Sequence, residues 1–257
     1  MNVENLKEVL STKYFGREIL YFDEIDSTNT FAKQLAENGK PEGTLVIAEF
    51  QTNGRGRMDR KWVSAKGKNL MVTIILRPSF SYEYISVLPM LFALSMCETL
   101  RSYNIHATTK WPNDILLNGK KICGMLLESS FAGNNVNFIL AGIGLNIHQE
   151  YFPDELKDTA SSLFLETQQQ FDRWKFLTSF LLQSEEHYVN FSHITAGKII
   201  EQWKSFSSMF GKEILLAQNG NTLLGKAIDI SSRGELIVEI DSQLTYFSSA
   251  DVTILRH

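Results

Sequence analysis

The chain has 257 residues, of which 44% are hydrophobic and 11% aromatic, a composition that allows one large folded domain with a smaller one beside it. The net charge of −4 and the charged fraction of 21% exclude a global basic field that would recruit nucleic acid, so anions must be bound by local clusters. Cys97 and Cys123 each lie in an apolar segment, which predicts buried, unreactive thiols in a reducing compartment rather than a disulfide framework.

The N-terminal segment and the most apolar segment do not predict export or membrane insertion. Residues 1–10 alternate polar and apolar side chains and lack the basic start and apolar core of a secretion signal. The longest nearly apolar run, residues 85–97, contains Pro89 and is shorter than the ~20 residues that a spanning helix needs. A cytoplasmic protein that does not contact membranes is therefore expected.

The first part of the chain is predicted to mix helices and strands. Leu6, Val9 and Leu10 have helical spacing and predict a short opening helix. The next predicted elements are a strand at 19–25, a helix at 30–37, strands at 44–50 and 69–76, and a helix at 84–103. Short polar side chains at 26–29 can cap the helix at 30–37, which Asn38 and Gly39 end.

Asn118 and Gly119 are the strongest hairpin signal in the chain, because both positions of such a turn need a positive φ. They join predicted strands at 115–117 and 121–128, and a further strand is expected at 136–147 before helices at 171–191 and 195–206. Because the strands dominate the middle and the helices flank them, an α+β fold with a central mixed or antiparallel sheet is predicted.

After Gly211 the pattern changes to short strands separated by turns. Five runs are predicted, at 213–217, 223–230, 235–240, 244–248 and 252–255. Such short strands are typical of a small β-barrel. The proposed domains are therefore residues 1–208 and residues 209–257.

Residues 51–62, called the Gly-Arg loop below, combine two glycines with alternating arginines and end at Trp62. Glycines let the backbone approach a ligand, and guanidinium groups match carboxylates and phosphates. A solvated basic loop is the alternative interpretation. The segment is neither a Walker loop nor a Rossmann fingerprint, since no Gly-Lys-Ser/Thr and no third glycine with a following helix are present.

Residues 110–114, Lys-Trp-Pro-Asn-Asp, place a cation, an aromatic ring, an amide and a carboxylate between two predicted strands. A turn with a buried tryptophan is the structural alternative. The functional interpretation is that Lys110 faces an anion while Asp114 holds a magnesium ion or receives a proton.

Two features of the predicted strands leave alternatives open. One of Lys120 and Lys121 must point inward if the alternation of the strand continues, but the pattern does not decide which one. Gly142 and Gly144 lie within a strand, where glycine indicates either a bulge or a close approach to the backbone.

Taken in order, these motifs resemble those of biotin protein ligases over residues 20–150, and the segment after 211 resembles the SH3-like barrel of that family. The segments that carry the resemblance are 26–29, 51–57, 60–62, 110–114, 121–124 and 142–146. The resemblance implies a biotin/lipoate ligase catalytic domain of the class II aminoacyl-tRNA-synthetase type with a C-terminal barrel.

The resemblance also implies roles for individual residues. The implied biotin contacts are Ser27, Thr28, Asn29, Gln51, Gly54, Arg55, Arg57, Lys121, Gly124 and Gly142. The implied nucleotide contacts are Arg57, Arg60, Trp62, Lys110, Asn113, Asp114, Lys121 and Asn146. Lys121, Arg57 and Asp114 are the implied catalytic residues, and Asp114 is also the implied metal ligand.

A ligase of this kind would use ATP and Mg²⁺ to activate biotin as biotinyl-5'-AMP, and would then biotinylate a lysine of a biotin carboxyl carrier protein. A homodimer formed through sheet edges is a further expectation. A DNA-binding repressor is not expected, because only about 20 residues precede the first predicted strand, too few for a helix-turn-helix domain.

Two other functions compete with this interpretation. A lipoate ligase would lack the Gly-Arg loop, and a non-catalytic biotin-binding module would be expected to lose Lys121 or the arginines. Some positions depart from the family pattern: Val63 stands where some relatives carry an aromatic residue, and Met58 and Asp59 replace a more basic pair that contains glycine. The segment that covers adenine is expected near residues 160–163, without a named stacking residue.

Overall fold

A computed structural model describes residue 6 and residues 8–255, apart from residues 81, 134 and 219. Its larger sheet has seven strands in the order β1-β2-β3-β7-β6-β5-β4. They are β1 (Ile19–Phe22), β2 (Leu45–Ala48), β3 (Leu70–Leu76), β4 (Thr108–Lys110), β5 (Asp114–Leu117), β6 (Lys120–Ala132) and β7 (Asn135–Leu145). β1 and β2 run parallel and the other neighbours run antiparallel, which confirms the predicted mixed sheet.

Helices flank this sheet. They are α1 (Thr28–Glu37), a 3-10 helix (Tyr82–Val87), α2 (Leu88–Ser102), α3 (Leu163–Thr167), α4 (Arg173–Val189) and α5 (His193–Ser205). Helix α2 is nearly all apolar because it is buried in the core, and Pro89 lies in its first turn, where a missing N–H breaks no helical hydrogen bond.

Among the described residues, one helical segment, Tyr82–Ser102, has the length and the apolar composition needed to cross a membrane, with a mean hydropathy of 1.3. In this fold 67% of the segment is buried within the protein. The segment is therefore part of the core and packs against α4 and α5.

The C-terminal part forms an antiparallel five-stranded sheet in the order β11-β10-β9-β8-β12. The strands are β8 (Glu213–Gln218), β9 (Asn221–Ile230), β10 (Leu236–Ile240), β11 (Gln243–Phe247) and β12 (Asp251–Ile254). This sheet, called the barrel below, agrees with the small SH3-like domain expected from the sequence. The proposed boundary between residues 208 and 209 stays a prediction.

Several local predictions are confirmed, and others are incomplete. Asn118 and Gly119 have φ values of 51° and 79°, as the predicted hairpin turn requires. Cys97 and Cys123 are buried and free, and burial raises the pKa of the Cys97 thiol to about 12. The sequence missed the short elements β4 and α3, while the predicted opening helix lies partly outside the described residues.

A β-bulge in β6 decides which lysine points toward Asp114. Asp114 pairs with Gly124 and Leu116 pairs with Lys121, so Ile122 is an extra residue in the ladder. Ile122 is therefore turned into the core, where it is fully buried, and Lys121 shares a face with Gly124. Strict alternation could not predict this, because the bulge changes the parity of the strand.

Candidate active site

The floor of a pocket is built where β1 leads into α1. Ser27 is the N-cap residue of α1 and has an extended backbone. The next two residues, Thr28 and Asn29, are only 4% exposed. Gln51 follows β2, and its Oε1 accepts hydrogen bonds from the Thr28 amide at 2.7 Å and the Thr28 hydroxyl at 3.0 Å. The Thr28 N–H requires an acceptor, which fixes the Gln51 Oε1 on that side. The Gln51 NH₂ group therefore faces Gly54 and the pocket.

Gly142 provides the room that Asn29 needs. A Cβ on Gly142 would lie 2.1 Å from the Asn29 Oδ1, which no packed structure tolerates. The β6–β7 ladder runs without interruption through Gly142 and Gly144. The bulge interpretation of these glycines was therefore wrong, and the close-approach interpretation is confirmed.

Trp62 lies on a flat platform formed by Gly124 and Gly144, which are direct partners in the ladder. A Cβ on Gly144 would lie 2.6 Å from the indole ring, and one on Gly124 would lie 3.3 Å from it. The Trp62 Nε1 is buried and has no hydrogen-bond partner among the described residues, and the cavity beside the ring has a volume of about 50 Å³. Trp62, predicted to contact a nucleotide, thus lines the same pocket as Thr28 and Gln51.

The Gly-Arg loop folds back on itself as a tight hairpin over the pocket. Arg55 bridges to Lys61, and the Gly56 N–H donates to the Arg60 carbonyl at 2.7 Å. Gly54 is buried behind the pocket, where its carbonyl accepts from the Trp62 N–H at 2.9 Å, so its backbone anchors the loop.

The arginines of the loop point to different partners. Arg55 contacts Glu128 of β6, while the Arg57 guanidinium donates to the Asn113 Oδ1 at 3.2 Å and to the Ser249 hydroxyl at 2.7 Å. Arg60, more exposed, forms an ion pair with Asp251 of the barrel. Burial lowers the pKa of Arg57 from its usual value.

Asp114 is the centre of a charged cluster beside this loop. Its carboxylate lies 2.6 Å from the Lys121 Nζ and 3.6 Å from the Lys110 Nζ. The contact with Lys121 is therefore a close ion pair. The Lys121 Nζ also lies 5.8 Å from the centre of the Trp62 ring. Sequence motifs that are far apart thus meet at one edge of the pocket.

Asn113 and Asn146 fix the backbone around this cluster. The Asn113 side chain donates to the Met125 carbonyl, and the Met125 N–H donates back to the Asn113 carbonyl at 3.0 Å. The Asn146 amide donates to the Ser161 carbonyl at 3.0 Å, while its Oδ1 is buried and has no hydrogen-bond partner in the described part of the chain. Ala160 bridges to Lys121, so the segment expected to cover adenine lies against the strand that carries this lysine.

Sequence reasoning missed Thr73 and Glu128. The Thr73 hydroxyl is fully buried in β3 and lies 2.6 Å from the Asn29 Oδ1 and 2.9 Å from the Thr28 hydroxyl. A polar residue inside the apolar run 70–76 was the signal that could have found Thr73. Glu128 lies an even number of residues from Gly124 on the same strand, so the alternation could have placed it on the pocket face.

Comparison with known proteins shows the protein family that the chain matches. Residues 21–146 match the model of the biotin/lipoate A/B protein ligase family, and residues 209–255 match that of the biotin protein ligase C terminal domain. The chain is 36% identical over 248 residues to the bifunctional ligase/repressor BirA of Bacillus subtilis, covering 95% of this chain and 76% of the relative.

Two other similar proteins are biotin protein ligases by name. The biotin--[acetyl-CoA-carboxylase] ligase of Mycobacterium tuberculosis is 27% identical over 237 residues, covering 90% of this chain and 86% of the relative. The biotin protein ligase of Aquifex aeolicus, solved in complex with biotin and ATP, superposes with a TM-score of 0.81 at 28% identity, covering 94% of this chain and 100% of that chain. The chain belongs to the biotin protein ligase family, which confirms the resemblance seen in its motifs.

Proposed function

We propose that this chain is an ATP-dependent biotin protein ligase. It activates biotin to biotinyl-5'-AMP with release of pyrophosphate, and then transfers biotin to a specific lysine of a biotin carboxyl carrier protein. The observation that carries the proposal is the meeting of Arg57, Lys110 and Lys121 around Asn113 and Asp114 at the edge of a pocket with a polar floor.

The first step needs positive charge rather than a base. The carboxyl group of biotin, with a pKa of about 4, is already ionised at neutral pH. Its attack on the α-phosphorus of ATP increases the negative charge on the non-bridging oxygens, and pyrophosphate leaves with the electron pair of the broken P–O bond. Lys121 lines the pocket and Arg57 reaches Asn113 at its edge, so both cations would stabilise this charge where it develops.

Asp114 suits a magnesium ion that is bound together with a nucleotide. The described part of the chain contains no group of three or more His, Cys, Asp or Glu side chains that could hold a metal ion alone. Magnesium in nucleotide sites commonly takes one or two carboxylates and completes its shell with phosphates and water. Asp114, whose carboxylate lies beside Lys110 and Lys121 at the edge of the pocket, would supply that carboxylate. The ion would then neutralise charge on the triphosphate.

The second step needs a neutral amine. The carrier lysine, with a free pKa of about 10.4, must lose a proton before its nitrogen attacks the mixed anhydride and releases AMP. Asp114 is the proposed acceptor of that proton. Closure of the Gly-Arg loop over the pocket would exclude the water that would otherwise hydrolyse the adenylate.

The proposal includes a compartment and partners. A cytoplasmic reaction is proposed, because ATP, biotin and a carboxylase carrier subunit would be available there, and a homodimer remains the expected assembly. Neither DNA nor a membrane is a proposed partner, since the chain has a net charge of −4 and no global basic field.

The decisive test is pyrophosphate release with ATP, magnesium and biotin. Biotin-dependent release is expected for the native chain, and K121A and R57A should each lower it at least about 100-fold, because each removes a cation that stabilises the transition state.

The same assay, run beside lipoate, tests the rival functions. Equal release with lipoate would identify a lipoate ligase. Tight biotin binding without pyrophosphate release would identify a binding module. Either result would overturn the proposed ligase.

A further inference from the structure

Glu128 connects the Gly-Arg loop to the floor of the pocket. Its Oε1 lies 2.8 Å from the Arg55 Nη2 and its Oε2 lies 3.3 Å from the Arg55 Nη1, which is a two-pronged contact. The same Oε2 accepts a hydrogen bond from the Asn29 Nδ2 at 2.8 Å. One carboxylate therefore holds a residue of the loop and a residue of the floor together.

Asn29 has one orientation available to it. Its Nδ2 faces Glu128 and the Leu126 carbonyl, at 3.2 Å, and both of these are acceptors only, so the amide cannot be flipped. Its Oδ1 must then accept the hydroxyl proton of Thr73. The Asn29 amide fills the space above Gly142, so this side chain packs directly against the backbone of β7.

We propose that Glu128 is a positioning residue for biotin: it orients Asn29 on the pocket floor and holds Arg55 of the Gly-Arg loop above it. This inference rests on the proposed function. The closed position of the Gly-Arg loop and the arrangement of the pocket floor therefore both depend on the Glu128 side chain.

The contribution of Glu128 is expected in ligand binding rather than in overall stability. The side chains of Arg55 and Glu128 are 43% and 32% exposed, and ion pairs with such exposure contribute little to folding. Asn29, by contrast, is 4% exposed, so an error in its orientation cannot be corrected by water. Binding affinity depends on whether these groups are already in place when the ligand arrives.

The experiment compares E128Q with E239Q in the full-length chain. Glutamine keeps the size of the side chain and one acceptor, but cannot present two carboxylate oxygens to a guanidinium group. Glu239 is an exposed carboxylate on a strand of the barrel and is the matched control. The measurements are the Kd of biotin by calorimetry, the kcat and KM of pyrophosphate release, and the lifetime of the bound adenylate without carrier protein.

E128Q is expected to raise the Kd and KM for biotin about tenfold and to shorten the adenylate lifetime by a similar factor, the range of one charge-assisted hydrogen bond. The kcat should stay within about twofold, and E239Q should behave as the native chain does. In an R55Q background the effect of E128Q should shrink at least about threefold, since part of it acts through Arg55.

Two results would overturn the role of Glu128. One is an unchanged biotin Kd and adenylate lifetime in E128Q. The other is an equal loss in all parameters together with a lower melting temperature, which would indicate a merely structural role. If the native chain itself neither binds biotin nor releases pyrophosphate, the proposed function fails, and that failure is visible before any variant is compared.

Discussion

At the scale of single residues, the glycines of the pocket follow from what lies opposite them. Gly142 faces Asn29, and Gly144 and Gly124 face the ring of Trp62. In each case the missing Cβ makes room for a particular side chain rather than for an unusual backbone angle, since none of the three has a positive φ. Their identities are therefore constraints set by neighbours that are remote in sequence.

Substitution of Gly142 by alanine tests this constraint. The new methyl group would displace Asn29, so G142A is expected to weaken biotin binding at least about tenfold and to lower stability by about 1–3 kcal/mol. Calorimetric titration with biotin and thermal unfolding measure the two effects.

The control for G142A is G197A in α5, where an added Cβ has no neighbour within 4 Å. Alanine in a helix should stabilise the protein by about 0.5–1 kcal/mol and leave biotin binding unchanged. If G142A bound biotin as tightly as G197A does, the proposed role of Asn29 would have to be abandoned.

Most of the candidate site residues could be named from the sequence through the resemblance of its motifs to those of biotin protein ligases, because the residue types alone left alternatives open. Residues that act through contacts between strands could not be named in this way. Glu128 and Thr73 belong to no motif, and their roles depend on pairings between β3, β6 and β7 that form only in the folded chain. Lys121 needed the bulge at Ile122 to be distinguished from Lys120.

At the scale of elements, most helices and strands were predicted close to their observed bounds, and two short ones, β4 and α3, were missed. β4 has three residues and α3 has five, too few for a periodicity to be visible. The predicted helix at 84–103 begins as a 3-10 turn before α2, where Pro89 allows the change of helix type.

The segment that leads into β1 is held by a single carboxylate of α4. Glu185, 7% exposed, accepts hydrogen bonds from the backbone N–H groups of Lys13, Tyr14 and Phe15, the last two at 2.7 Å. Since these donors have no backbone acceptor among the described residues, the side chain takes the place of a neighbouring strand. An element boundary therefore depends on a residue about 170 positions away.

E185Q is expected to destabilise the protein by about 1–3 kcal/mol, because glutamine has one acceptor oxygen for these amides and turns an NH₂ group toward a remaining donor. Urea unfolding measures the change. The exposed neighbour Glu186 is the control, and E186Q should stay within about 0.5 kcal/mol of the native chain. Equal stability of the two variants would show that Glu185 does not hold the segment.

At the scale of the whole molecule, the barrel contributes to the surroundings of the active site. Ser249 and Asp251 contact Arg57 and Arg60 of the Gly-Arg loop. On another side, the Trp111 Nε1 donates to the carbonyl of Gly234 in the turn before β10, at 3.0 Å. The small sheet thus touches both the loop and the segment that carries Asn113 and Asp114, a relation that no single motif in the sequence could indicate.

W111F tests whether the barrel positions the charged cluster. The ring stays apolar, but the Gly234 carbonyl loses its donor inside the protein. Asp114 lies three residues after Trp111, so loss of this hydrogen bond should displace its carboxylate slightly. Small displacements at an active site weaken its function, and the KM for ATP is therefore expected to rise about tenfold. W174F changes another buried tryptophan, on α4, and should lower the melting temperature without altering the KM for ATP. Matching kinetics in the two variants would contradict a positioning role for the barrel.

The tip of the Gly-Arg loop has an energetic consequence for the resting enzyme. Met58 and Asp59 both have left-handed backbones, with φ values of 53° and 57°, at positions where such turns favour asparagine and glycine. Aspartate tolerates this conformation better than most side chains, so the cost of about 1–2 kcal/mol falls mainly on Met58. The hairpin that lies over the pocket is therefore held down against local strain, which the contacts of Arg55, Arg57 and Arg60 offset. A bound ligand that contacts the loop would offset the same strain, so occupation of the pocket would favour the closed loop.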